Sequence, residues 1–188
     1  MISFEPPPEP DDFDEEVRQP GTDWLSSHQS SDGRPPSYWN KVKTDLADGF
    51  GDLCGYSAMY TPTGTVDHYL SWSNHPKLAY EWSNYRYAAG WVNSSKQDAD
   101  DSVLDPFEVE DEWFEILLPS LQLVVSDDIP AEHREKAEFT LERLNLRDDE
   151  RVIRQRRSWY EMFEEGRITL EGLREVAPLI ARAVEQGG

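Results

Sequence analysis

The sequence predicts an α+β protein, and three observations carry that reading. Between Leu53 and Ala89, short aromatic runs are cut by the turn-forming stretches "TPTG" and "NHP", a pattern of short strands and ordered loop. Beyond Pro130 the apolar residues recur at helical spacing in three successive segments. Residues 1–37 carry "PPPEP" and "SSHQSSDGRPP" and show no apolar period at all.

The elements follow in chain order. Residues 1–37 hold nine acidic and two basic side chains. Such a stretch buries too little apolar surface to offset its ordering entropy, so a mostly disordered or extended acidic tail is expected. Phe4, Phe13, Trp24 and Leu25 are its candidates for docking on the domain or on a partner. In "SYWNKVKTDLADGF", a Ser precedes Trp39, Val42, Leu46 and Phe50, which predicts a helix ending at Gly49 or Gly51. "VNSSKQDA" predicts a short helix, and "EVEDEWFEILLPSLQLVV" a pair of short strands broken at Pro119. "PAEHREKAEFTLERLNL" places Ala137, Leu141 and Leu144 on one helical face. "DDERVIRQRRSWYEMFEEG" predicts a second helix stopping at Gly166. The last helix opens on a capping-box-like Thr169-Leu170-Glu171-Gly172 and carries Pro178 as a kink. The expected division is a tail at 1–37, a core at 38–130 and a helical region packed on it at 131–188.

No window approaches eighteen apolar residues, and the start is acidic where a signal peptide would be basic, so a soluble, cytoplasmic chain without membrane contact is expected. The single cysteine, Cys54, excludes an internal disulfide and any metal site built on several thiolates. A formal charge of −20 argues against nucleic acid. The distribution softens this, because residues 101–130 carry nine acids and no base while residues 38–100 are close to neutral. Within "RVIRQRR", Arg151, Arg154 and Arg157 recur every three residues on one helical face. Two readings stand for them: a nucleic-acid phosphate strip, or a solvated face paired with nearby Glu.

Candidate chemistry concentrates in residues 65–96. A His removes a proton from water at neutral pH, and an Asp carboxylate and an Asn carbonyl are hard oxygen ligands suited to Mg²⁺. Asp67 and His68 are adjacent, so on a strand they point to opposite faces, and a site using both needs an irregular strand end. The aromatics around them (Trp72, Tyr80, Trp82, Tyr85, Tyr87, Trp91) serve as core or as stacking platforms for bases.

The order Asp67-His68-Tyr69, then Pro76 to Asn84 ("PKLAYEWSN"), then Asn93 to Lys96 ("NSSK"), then Leu104-Asp105-Pro106 resembles the HNH endonuclease family. It is most similar to a branch associated with Septu-like and retron-linked anti-phage systems. The resemblance covers roughly residues 38–165. It implies a ββα-metal core, a two-stranded hairpin followed by a helix, hydrolysing DNA phosphodiester bonds in bacterial defence beside an ATPase partner. It also implies roles. His68 is the general base, and Asp67 and Asn93 hold one Mg²⁺ or Mn²⁺. Asn84, in the catalytic set, fixes the loop that carries His68, while Lys96 touches phosphate or is simply solvated. Members of this branch usually carry two Cys-x-x-Cys pairs holding a structural zinc. Here the first reads Cys54-Gly55-Tyr56-Ser57 and the second falls on Ala89 and Val92, so no structural zinc is expected. Ala89, Trp91, Val92, Met59 and several tyrosines fill that space as an apolar cluster instead. The competing functional reading is an inactive HNH-like scaffold used for binding or assembly. An acidic DNA mimic is a third.

Overall fold

The sequence alternates short β-forming runs with amphipathic helices, and the structure, a computed structural model, keeps that order. It describes residues 1–28 and 33–187. A π-helical turn at Asp14–Arg18 runs into helix α1, Gln19–Ser27. A 3₁₀ turn at Tyr38–Val42 leads into α2, Lys43–Gly49. Strands β1 (Thr65–His68) and β2 (Tyr85–Ala88) pair antiparallel, and α3 (Gly90–Lys96) follows directly. A second antiparallel pair, β3 (Phe114–Leu117) and β4 (Gln122–Val125), precedes α4 (Ala131–Arg143), α5 (Glu150–Glu164), α6 (Leu170–Val176) and α7 (Pro178–Glu185). This is an α+β arrangement, as the sequence predicts.

The period-2 alternation of the first hairpin serves two cores. Val66, Tyr85 and Tyr87 join an aromatic cluster with Phe13, Trp39, Leu46, Phe50, Tyr80 and Trp82. Ala88, with Ala89 and Val92 beyond the strand, joins a larger aliphatic cluster that runs through Cys54, β3, β4 and the C-terminal helices. Cys54 therefore packs beside Ala89 and Val92, fully buried as a small hydrophobe. Because the aliphatic cluster contains Leu141, Leu173 and Ile180 as well as Val92 and Leu123, the C-terminal helices share one core with the hairpin.

Two features differ from expectation. The first is the N-terminal segment, which is docked and partly helical where a disordered or extended tail is predicted. Residues 29–32 of that stretch lie outside the described residues. The anchors are few but deeply placed. Met1, Phe13 and Val17 are fully buried, and Phe13 meets Trp82 and Tyr85 edge-on at 5.7 and 6.0 Å. Trp82 Nε1 donates to the Pro7 carbonyl at 2.8 Å, holding the proline-rich run against the domain. Gly21 permits the close approach of α1 to the Tyr80 ring, since a Cβ there would lie 2.2 Å from Tyr80 Cγ. The second difference is at Pro178, which divides the last helix in two. Ala177, at φ −155° and ψ 66°, stands outside the α region that a residue before proline avoids, and Pro178 starts α7.

No helix among the described residues is long and apolar enough to cross a membrane. The docking of the N-terminal segment is directly testable. Phe13→Ala is expected to lower the unfolding free energy by about 3 kcal/mol, read as a fall in the urea midpoint. A detached tail would leave the midpoint unchanged.

Candidate active site

Strand β1 ends at His68, and the site is built around that end. The imidazole lies in the aromatic core, edge-on to Trp39 at 4.6 Å and to Tyr85 at 5.1 Å. Its Nε2 is 2.9 Å from the Ala79 carbonyl oxygen. A carbonyl only accepts, so Nε2 carries the proton and Nδ1 keeps its lone pair. Burial lowers the His68 pKa to about 4. The Ala79 bond opposes that shift, and the positive charges of Lys96 and Arg34 reinforce it. At neutral pH the ring is uncharged, with one nitrogen available as a base.

Asp67 points to the other face, as strand alternation requires, and enters a buried polar cluster. Tyr56 Oη donates to its Oδ2 at 2.6 Å, and Lys96 Nζ stands 3.3 Å from its Oδ1. Burial pushes the Asp67 carboxyl above its ordinary range, with Lys96 and the Tyr56 hydroxyl pulling back. Burial also raises the Tyr56 phenol, and the Asp67 charge beside it adds to the effect.

Lys96 corrects an expectation. It is 0% exposed and donates to the carbonyl oxygens of His68 at 2.8 Å and Tyr69 at 2.9 Å. It is neither a phosphate contact nor a solvated lysine. From the last turn of α3 it holds the end of β1 from beneath.

The asparagines divide their work. Asn93, on α3, donates through Nδ2 to Thr65 Oγ1 at 3.0 Å and to the Val66 carbonyl at 3.3 Å. Its Oδ1 has no protein donor among the described residues. Asn84 accepts from Leu70 N at 2.8 Å and donates to the carbonyls of Leu70 (2.9 Å) and Leu78 (3.1 Å). It ties together the loop between the strands, the contact the resemblance implies for it, and does not line the cavity described next. Asp100 holds the same loop from the other side, accepting from Ser71 N at 2.6 Å and Asn74 Nδ2 at 2.7 Å. Under the hairpin, Arg86 of β2, opposite Asp67 in register, forms a buried bidentate pair with Asp105 at 2.6 and 2.5 Å.

Asp67, His68 and Asn93 share one open cavity of about 390 Å³, walled also by Arg34, Trp39, Ser71 and Asp98. The cavity sits where β1 ends and α3 packs against it, and Asp67 contributes to its wall with only 1% of the residue exposed. Sequence reasoning missed Arg34, Tyr56 and Asp98. Arg34 lies in a Pro/Ser-rich stretch without periodicity, and Tyr56 is far from Asp67 along the chain, so no local pattern marks either.

The arginine strip does not join the site. Arg151 pairs with Asp149 at 3.0 Å and lies over the Trp91 ring, Arg154 pairs with Glu150 at 2.8 Å, and Arg157 is exposed; none lines the cavity. Their neighbour Arg156 is buried and donates to the carbonyls of Leu121, Leu146 and Arg147. Its role is to bind together three chain segments.

Asn93 Oδ1 and the Asp67 carboxylate are hard oxygens of the type a small hard cation takes, with Asp67 only 1% exposed. Each Asp67 oxygen has one protein donor and therefore a lone pair to spare, and Mg²⁺ takes few protein oxygens, completing its shell with water and phosphate. No protein-family model matches the chain, and no curated protein matches it.

The buried cluster makes a sharp demand on Lys96. Lys96→Met is expected to cost about 3–5 kcal/mol of stability, because it strands the Asp67 charge and two carbonyls. Equilibrium denaturation measures this, and an exposed phosphate-contacting lysine would shift stability by no more than about 0.5 kcal/mol.

Proposed function

We propose that the chain is a metal-dependent HNH-type endonuclease that hydrolyses DNA phosphodiester bonds with His68 as general base. The observation that carries this is the state of the His68 ring. It is neutral, held through Nε2 by the Ala79 carbonyl, and set in the same cavity as Asp67 and Asn93. A base must be unprotonated before substrate arrives, and the low pKa of His68 supports that condition, at the cost of basicity.

On this reading Nδ1 takes a proton from a water that attacks phosphorus. Asn84 and Asp100 keep the loop beyond His68 in place, and Lys96 holds its backbone. Asp67 and Asn93 Oδ1 are the residues that would hold Mg²⁺ or Mn²⁺, which when bound stabilises charge on the phosphate oxygens as a Lewis acid. Arg34 at the cavity wall supplies a positive charge for the same anion. The resemblance supports a setting in the bacterial cytoplasm, in anti-phage defence, with DNA as substrate and an ATPase subunit as partner.

A second reading, an HNH-like scaffold without turnover, is favoured by Asp67 itself. The residue is 1% exposed and each oxygen already has a donor, so any cation has to share it.

Plasmid cleavage separates the two. The wild type with Mg²⁺ or Mn²⁺ is expected to cut, and His68→Ala at matched stability to cut at least about 100-fold more slowly. A wild type that stays inert with both metals, and with its neighbouring gene products present, points to the scaffold.

A further inference from the structure

Beside the catalytic cavity lies a second, smaller concavity of about 220 Å³, and the two share Trp72 and Ser73 as a common wall. It is formed by parts of the chain that sequence reasoning assigned to different regions. Trp24 and Leu25 come from α1, Pro35 from the segment leading to α2, and Trp72, Pro76 and Lys77 from the loop between β1 and β2. Three features suit it to one kind of occupant. Its walls are flat rings and prolines, and it already sustains a parallel stack of His28 on Trp24, with ring centroids 4.5 Å apart and planes 7° from parallel. In a chain with 38 acidic residues, no carboxylate is among its described lining residues, whereas Lys77 is. Arg34, next to Pro35, lines the cavity on the other side of Trp72.

We infer that this slot receives one unstacked nucleobase of the strand whose phosphate occupies the catalytic cavity, and that the chain therefore prefers single-stranded or locally melted DNA to intact duplex. The inference rests on the nuclease reading above for the phosphate next door. The volume accepts a single base and not a base pair. An apolar aromatic slot gains stacking from any base without reading its sequence, and a base inside a duplex has to be unstacked and unpaired to enter. Lys77 and Arg34 supply positive charge near the backbone, on a surface that otherwise repels nucleic acid. Of the aromatic residues around the hairpin, Tyr80, Trp82, Tyr85 and Tyr87 are buried core, whereas Trp72 is part-exposed on the wall that divides slot from cavity.

The test is equilibrium binding to the full chain in EDTA, where a metal-dependent enzyme does not cut. The probes are a short fluorescein-labelled single strand and the duplex of the same sequence, read by anisotropy. The single strand is expected to bind more tightly than the duplex. Trp72→Ala should weaken single-strand binding about tenfold, and Trp72→Phe, which keeps a stacking face, should retain most of it. If Trp72→Ala does not fold, Trp24→Ala on α1 carries the same expectation. Equal binding of strand and duplex overturns the inference, and so does wild-type affinity in the variants. A second copy of the chain in the slot would appear as a dimer that Trp72→Ala dissociates with oligonucleotide binding unchanged, which also overturns it. The two proposals fail separately. Single-strand binding that depends on Trp72, in a chain that cuts nothing, keeps the slot and removes the nuclease. Cleavage that depends on His68, with binding indifferent to Trp72, does the reverse.

Discussion

A lysine ammonium without access to water governs this structure. Lys96 reaches from α3 to the end of β1, where it meets the carbonyl oxygens of His68 and Tyr69 and the carboxylate of Asp67. Burying such a charge is costly unless every proton finds an acceptor, and here three acceptors surround it. The arrangement constrains both partners. The helix cannot slide along the hairpin without stranding the ammonium, and the strand cannot shift register without moving Asp67 away from it. Arg86, across the hairpin on the same rung, repeats the device with Asp105, so the face of the hairpin that carries Asp67 is locked by two ion pairs.

The opposite face is held by packing. His68 projects there among Trp39, Tyr80 and Tyr85, and its low pKa follows from that apolar setting. Adjacent residues thus acquire opposite environments, a carboxylate satisfied by charge and hydroxyl donors and an imidazole kept neutral by burial. The N-terminal segment completes the aromatic core through Phe13 and Val17, and its helix α1 supplies part of the slot beside the cavity.

Much of the fold is legible in the sequence where period and punctuation agree. The helical spacing of Ala137, Leu141 and Leu144, the Thr169 cap accepting from Gly172 N at 3.1 Å, and the two strands around Pro119 all appear as local pattern, and all are present. The docking of residues 1–28 is not legible, because it depends on a handful of long-range contacts that leave no periodic trace. At the site, the types and order of Asp67, His68, Asn84 and Asn93 are visible, but their division of labour is not. Nothing local distinguishes Asn93, whose Oδ1 lacks a protein donor among the described residues, from Asn84, whose amide is spent on the loop. Lys96 and Arg156 illustrate the same limit. Both stand in polar stretches that look solvated, and both are buried because carbonyl groups from distant segments converge on them. Arg151 and Arg154 read equally as a phosphate strip or as a face paired with nearby acids, and in the fold they pair with Asp149 and Glu150.

The claim on which the functional account turns is the state of one ring. Long-range ¹H–¹⁵N correlation spectra of the His68 imidazole, recorded from neutral pH downward, report tautomer and charge together. The account predicts a neutral Nε2–H tautomer that persists until Nδ1 takes a proton near pH 4. A ring protonated at Nδ1 in its neutral form, or one that titrates near the ordinary value of 6.5, would contradict it.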